Sequence, residues 1–323
     1  MTTIRVAAAA LLAGTALVLT SCSSSGEDTA PVADGILEKV EVSVGVLPLA
    51  DYAAVYWADE KGFFEKEGLT VTLEPIQGGP IGIQKVASGE LDFSIANSIS
   101  GAIAQSRKTP ITTVAHTASL GDGSGILYVK PDSPILSLKD IDRKTVGVNT
   151  TNNIGDVTIA NLVAAEGLDI KPQYVEVPFP EMLPGVQAGS IDVGYAPEPF
   201  SSAARGAGMR EIADLTTGVN NALPASTFVA GNNFVATNPD TTAAFARAIY
   251  TAGADISSNE AAFREWLPGV AKVPAAVAQT MALPTFSSSM DLAAMQSVTD
   301  MLAAQGLVPK DFDTESHLFV LED

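Results

Sequence analysis

The stretch Val86–Ser98, VASGELDFSIANS, is echoed one hundred residues later by Val186–Glu198, VQAGSIDVGYAPE. Each reads as the end of a helix, a glycine turn, a short strand and a polar strand end. Val86 matches Val186, Gly89 matches Gly189, Asp92 matches Asp192 and Ala96 matches Ala196. The echo reaches upstream, where Val44-Gly45-Val46 is answered by Val146-Gly147-Val148 and Glu67-Gly68-Leu69 by Glu166-Gly167-Leu168. These pairs are offset by 102 and 99 residues, so small insertions separate the matched pieces. A duplicated α/β unit predicts two lobes, and two lobes predict a cleft between them.

The chain of 323 residues has the length of two domains. Its 46% hydrophobic and 17% charged residues suit a large buried core and exclude a disordered chain. A formal net charge of −19 argues against nucleic acid as a partner, because phosphate would be repelled. The acidic residues are scattered, as on a solvated surface.

Taken in order, Val40, Val42, Val44 and Val46 alternate as a strand, followed by the loop Pro48–Tyr52. One helix then runs through Val55, Trp57, Phe63 and Phe64 to a C-cap at Gly68. Val71 and Leu73 mark a strand, and Gly78-Gly79-Pro80 turns the chain into a helix around Ile83–Ala87. A helix over Ile99–Arg107 and a strand over Ile111–Ala115, ending at His116-Thr117, complete the first unit. This alternation predicts an α/β fold built on a parallel sheet with helices on its faces.

Gly121–Gly125 interrupts the pattern and is read as the first crossing between lobes. The second unit has strands at Ile126–Val129, Thr145–Val148, Tyr174–Val177 and Ile191–Tyr195. Helices begin near Asn153–Asp156, ending at Gly167, and span Glu181–Ala188. Ser226–Ala230 returns to the first lobe, and four helical stretches between Thr241 and Ala304 cover its outside. The expected division is 1–21 export signal, 22–39 tether, 40–120 with 226–323 first lobe, and 121–225 second lobe. Two connections between lobes form a hinge.

In open α/β sheets, ligands bind beyond the carboxyl ends of the strands. The first lobe offers Asp51 and Tyr52, Gly79 in its glycine turn, Asn97 and Ser98, and His116 at these ends. The second offers Thr151, Asn152, Asn153 and Glu198. Each has a structural alternative. Gly78-Gly79-Pro80 is a turn or a set of backbone donors at a helix start. Asn97, Ser98 and the run Asn149–Asn153 are helix caps or ligand contacts. His116 is a structural strand-end histidine or a contact. Glu198, between two prolines, is a hinge or cap acceptor, or a ligand anchor.

Enzyme motifs are missing: no G-x-S-x-G elbow, P-loop lysine motif, H-E-x-x-H or helix-opening G-x-G-x-x-G occurs. Two histidines and one cysteine leave little for a metal site or thiol chemistry, so neither cofactor nor metal is expected. That cysteine, Cys22, follows Arg5 and the apolar run Val6–Leu19, which is too short to span a bilayer core needing about 20 residues. Leu19-Thr20-Ser21-Cys22 resembles the lipobox of bacterial lipoproteins. The resemblance implies cleavage before Cys22, a diacylglyceryl group on its sulfur, and a flexible tether from Ser23 to Gly35. Loss of Arg5 with the signal takes the charge from −19 to −20.

The set Val44-Gly45-Val46, Tyr56, Ala58, Lys61-Gly62-Phe63-Phe64 and Glu67-Gly68-Leu69 resembles the start of ABC-importer solute-binding proteins. The similarity continues through Ala87–Phe93, Pro134–Ile141, Gly189–Asp192 and Glu198-Pro199-Phe200. It points to the family for aliphatic sulfonates, taurine, nitrate and thiamine pyrimidine precursors. It implies the two-lobed periplasmic-binding type II fold, a small-molecule ligand, an ABC permease with its ATPase, and a monomer. The place implied is the outer face of a bacterial cytoplasmic membrane, held by the lipid anchor. No Lys or Arg falls in the strand-end loops, which offer Asp51, Glu198, Tyr52, amides and hydroxyls. Such a pocket suits an uncharged or cationic nitrogenous ligand, with a sulfonate or nitrate at the helix starts as the next choice. An enzyme of pyrimidine-precursor synthesis and a sensing receptor without transport are the alternatives.

Overall fold

The computed structural model describes residues 36–271 and 274–322; the export signal, Cys22 and the tether as far as residue 35 lie outside the described residues. Strand β1 (Glu41–Val46) is followed by helices α1 (Ala53–Glu60) and α2 (Phe63–Lys66), then β2 (Thr70–Pro75), α3 (Gly79–Ser88), β3 (Phe93–Asn97), α4 (Ser98–Ser106) and β4 (Ile111–Ser119). The chain continues as β5 (Gly125–Val129), β6 (Thr145–Val148), α5 (Ile154–Ala165), β7 (Gln173–Glu176), α6 (Phe179–Ala188), β8 (Val193–Pro197), α7 (Phe200–Gly206) and β9 (Arg210–Asp214). It closes with β10 (Pro224–Gly231), α8 (Asn232–Thr237), α9 (Pro239–Ser258), α10 (Glu260–Ala271), α11 (Ala275–Thr280), β11 (Thr285–Phe286) and α12 (Leu292–Ala304).

The strands form two sheets, ordered β11-β4-β10-β3-β1-β2 and β7-β6-β8-β5-β9. Read from their far edges, β2-β1-β3-β10-β4 and β7-β6-β8-β5-β9 are the same arrangement, which gives the sequence echo its structural meaning. The echoed residues do the same work twice. Gly89 and Gly189 take left-handed conformations, φ 78° and 76°, to end α3 and α6. Asp92 accepts the Ser43 N–H at 2.9 Å, and Asp192 accepts the Thr145 N–H at 2.9 Å. Each aspartate thereby ties its own strand to the start of the neighbouring parallel strand. A Cβ at Gly45 would stand 2.5 Å from the Ser94 hydroxyl, and one at Gly147 would strike the Met182 sulfur. The middle glycine of both Val-Gly-Val strands is needed because the next elements pack directly over it.

The helices after β10 pack on the first sheet. In α9, Phe245, Ala248, Ile249, Ala252 and Ile256 recur at helical spacing and are buried. Phe245 stacks on Phe93 of β3 with ring centroids 4.0 Å apart. Trp57 of α1 lies against Phe263 and Trp266 of α10 and donates its indole N–H to Asp255 at 2.7 Å.

Four expectations are corrected. The sheets are mixed, not parallel: β10 runs antiparallel to β3 and β4, and β5 runs antiparallel to β8 and β9. The parallel strands end at the cleft, whereas β5 and β10 enter their sheets from it and must run the opposite way. The single helix expected through Phe64 is two, broken after Lys61 by Gly62 at φ 65°. The strand expected to end at Ala115 continues to Ser119, because β10 pairs with it that far. Strands β9 and β11 were not anticipated; REIAD lacks clean alternation, and β11 is two residues long.

Candidate functional site

The carboxyl ends of the parallel strands of both sheets face one cleft that is partly open to solvent. The first lobe contributes the turn after β1 (Leu47, Leu49–Tyr52), Gly78 and Gly79 at the start of α3, Asn97 at the end of β3, and Ser119 and Leu120 after β4. The second contributes Ser124 and Gly125, Asn149 and Thr150, Asn153–Gly155 at the start of α5, Phe179, Tyr195, Glu198, and Leu215 with Thr216.

Asp51 lies in a short helical turn, and its Oδ2 accepts the Ser226 hydroxyl at 2.6 Å. Among the described residues no cationic side chain pairs with it. Burial raises the carboxyl above its usual 3.8, against the lowering effect of Ser226. Tyr52 is buried beside it, donates its hydroxyl to the Ala96 carbonyl at 2.7 Å, and meets Phe228 edge-on. Burial, then the Asp51 charge, pushes both the Tyr52 and Tyr195 phenols well up. Tyr195 comes from β8, so each lobe contributes a tyrosine to the cleft wall.

Asn97 and Asn153 each close a capping box, on α4 and α5 respectively. The Asn97 amide also donates to the Asn153 side-chain oxygen, linking the two helix starts across the cleft. Asn149 donates to the Gln77 carbonyl at 3.4 Å nearby. Gly79 is buried at the wall, where a Cβ would stand 3.1 Å from the Ser100 hydroxyl.

Glu198 touches the cleft, but its carboxylate is committed elsewhere. Oε2 accepts the Ser202 N–H at 3.2 Å, and Oε1 accepts the Ser202 hydroxyl at 2.9 Å and Arg205 at 3.5 Å. Its side chain is 1% exposed. This is the cap-acceptor reading of the residue.

The structure thus brings together Asp51, Tyr52, Gly79, Asn97, Asn153 and Glu198 at the cleft wall, and leaves four candidates off it. The Ser98 hydroxyl is turned into the first lobe, donating to the Pro224 carbonyl. His116 is inside β4, 3% exposed, with ring nitrogens facing Ser119 and Ser287 hydroxyls at 3.2 Å. Burial pulls its pKa below 6.5. Because β4 runs on to Ser119, the strand end that reaches the cleft is Ser119, not His116. Thr151 gives its N–H and hydroxyl to Glu176, both at 2.8 Å, and Asn152, at φ 52°, gives its N–H to Asp156 at 2.7 Å. Both border a separate crevice beside Pro80, Gln84 and Arg107. Ser119, Ser124, Thr158, Tyr195 and Thr216 line the cleft without having been singled out. The tyrosine was findable, since it precedes the polar end of the echoed strand.

Among the described residues, no group of three or more His, Cys, Asp or Glu is arranged to hold a metal ion. No described helix is long and apolar enough to cross a membrane.

Two sheets of matching order, facing across one cleft and joined by two crossing segments, define the two-lobed periplasmic-binding type II fold. Residues 50–260 match the NMT1/THI5-like family, and the chain belongs to that family. The alkanesulfonate-binding protein SsuA from Xanthomonas axonopodis pv. citri, solved with MOPS bound, has a similar structure, with TM-score 0.73 and 16% identity over 88% of this chain and 99% of that one. The periplasmic nitrate-binding protein NrtA from Synechocystis PCC 6803 gives TM-score 0.72 and 15% identity over 87% of this chain and 86% of that one. In sequence, the chain is 28% identical over 189 residues, 51% of its length, to the nitrate import ATP-binding protein NrtC of Synechocystis. The match spans 27% of that relative's own length.

Proposed function

We propose that this chain is the extracytoplasmic solute-binding component of an ABC importer. It captures a small organic nutrient between lobes formed by 40–120 with 226–323 and by 121–225, and delivers it to a permease with its ATPase. It works as a monomer held by a lipid on Cys22 at the outer face of the cytoplasmic membrane, and it is not an enzyme. The observation that carries this reading is the cleft walled by polar strand ends and helix starts from both lobes. Family membership and the likeness in fold to SsuA and NrtA support it. The contacts are Asp51, Tyr52, Asn97 and Asn153, with backbone donors at Gly79.

The ligand favoured is nitrogenous and pyrimidine-like, because the wall is aromatic and acidic. The second choice is a sulfonate- or nitrate-type anion. It is favoured by α3 and α5, whose N-termini open on the cleft and can hold an anion without a cation. Thermal-shift screening of pyrimidines, amines, sulfonates and nitrate tests the reading: ligand-specific stabilisation is expected. No response to any small molecule, together with no solute retained on purification, would sink it.

A further inference from the structure

We infer that the solute bound in the cleft is an organic cation bearing N–H donors, anchored by Asp51 alone. The inference rests on the solute-binding reading and adds the sign of the ligand's charge. Among the described residues forming the cleft wall, the only charged side chains are Asp51 and Glu198, and no lysine or arginine reaches it. The two carboxylates are not equivalent. Glu198 has both oxygens hydrogen-bonded and Arg205 beside it, so its charge is balanced within the second lobe. Asp51 accepts the Ser226 hydroxyl on Oδ2 and its own backbone N–H, and has no cationic partner among the described residues.

Asp51 is half-buried in the cleft wall, and a partly desolvated carboxylate without a counter-charge is unfavourable; a ligand that supplies the positive charge removes that penalty. The surroundings complete the match. Tyr52 is on the same turn as Asp51, and Tyr195 and Phe179 come from the opposite lobe, with ring centroids 5.9 Å apart. Aromatic faces attract a cation and repel an anion. Desolvation raises the Asp51 pKa, which means that its charged form lacks full compensation from the surrounding groups. An anion entering the same space would bring its charge close to the unbalanced Asp51 carboxylate, with only neutral donors, the amides and hydroxyls of the wall and the helix starts, in its favour.

The test uses three probes with one ring and different head groups: benzamidinium, benzamide and benzenesulfonate. Binding to the full mature chain is measured by titration calorimetry, for wild type, D51N and E74Q, the last removing one exposed negative charge on β2. Wild type should bind benzamidinium at least tenfold more tightly than benzamide, with benzenesulfonate weakest. D51N should lose the tenfold preference, and E74Q should keep it. A preference that survives in D51N, a preference for benzenesulfonate, or no discrimination among the three would overturn the inference. Native mass spectrometry of the purified chain separates this failure from that of the wider reading. A retained anionic solute refutes the cation and leaves a solute-binding protein; no retained solute and no probe binding refutes both.

Discussion

Asp92 and Asp192 close the two copies of the same motif, and replacing each with alanine compares one interaction in two environments. Asp92 accepts the Ser43 N–H at 2.9 Å, the Ser43 hydroxyl at 3.2 Å and the Lys39 ammonium at 2.7 Å, and its side chain is 12% exposed. Asp192 accepts the Thr145 N–H at 2.9 Å and its hydroxyl at 2.8 Å from an exposed position. Hydrogen bonds to a charged group contribute about 1.5–3 kcal/mol when no water replaces the lost partner. The Lys39 pair adds roughly 0–1 kcal/mol, because that lysine is largely solvated. D92A should therefore cost about 2–3 kcal/mol. D192A should cost about 1 kcal/mol or less, since water can take over at Thr145. Urea unfolding measures both; at an m-value of about 3 kcal/mol/M, D92A should lower the midpoint by roughly 0.7–1 M. Both tryptophans, Trp57 and Trp266, are in helices packed on the first sheet, so their fluorescence follows that lobe while circular dichroism follows both. D92A should shift both signals and D192A mainly the dichroism. Equal costs, or a larger cost for D192A, would refute burial as the deciding factor.

Burial raises the pKa of Asp51, so the folded chain holds that proton to higher pH than the unfolded chain does. The stability linked to this proton is fully present below pH 3.8 and lost as pH rises through the folded value. D51N should consequently melt higher than wild type at neutral pH and lose its advantage in acid; an equal or lower melting temperature at pH 7 contradicts this. His116 has the opposite sign, since burial lowers its pKa and the unfolded chain takes the proton first as pH falls below 6.5. Wild type should lose stability between pH 7 and 5.5 more steeply than H116Q, and parallel slopes would show the ring is not the cause. N97A and N153A each remove a helix cap, at about 1 kcal/mol apiece. Because the two side chains also bond each other across the cleft, the double variant should cost less than the sum. Strict additivity in urea unfolding would argue against that contact.

Much of the frame was legible in the sequence. The echo of Gly89 and Asp92 by Gly189 and Asp192 reported a repeated backbone event: a helix ended by a left-handed glycine and a strand tied to its neighbour. Such events are local, set by conformational preference and hydrophobic period, so one sequence carries them. Asp51, Tyr52, Asn97 and Asn153 stand out in the sequence for the same reason, as polar residues at strand ends and helix starts, and they line the cleft.

What the sequence left open depends on partners distant along the chain. Glu198 and Asp51 are equally good candidate anchors by their chemistry, and only the placement of Ser202 and Arg205 shows that the Glu198 carboxylate is already hydrogen-bonded and paired. His116 looked like a strand end until its pairing with β10 carried β4 three residues further, turning the ring toward Ser119 and Ser287. The direction of β5 and β10 was likewise fixed by which side of the sheet each strand enters from. Local preference determined the two α/β units and their polar ends. Tertiary contact decided which of those ends face the cleft and which carboxylate remains without a counter-charge, because satisfaction of a buried polar group is a property of its neighbours.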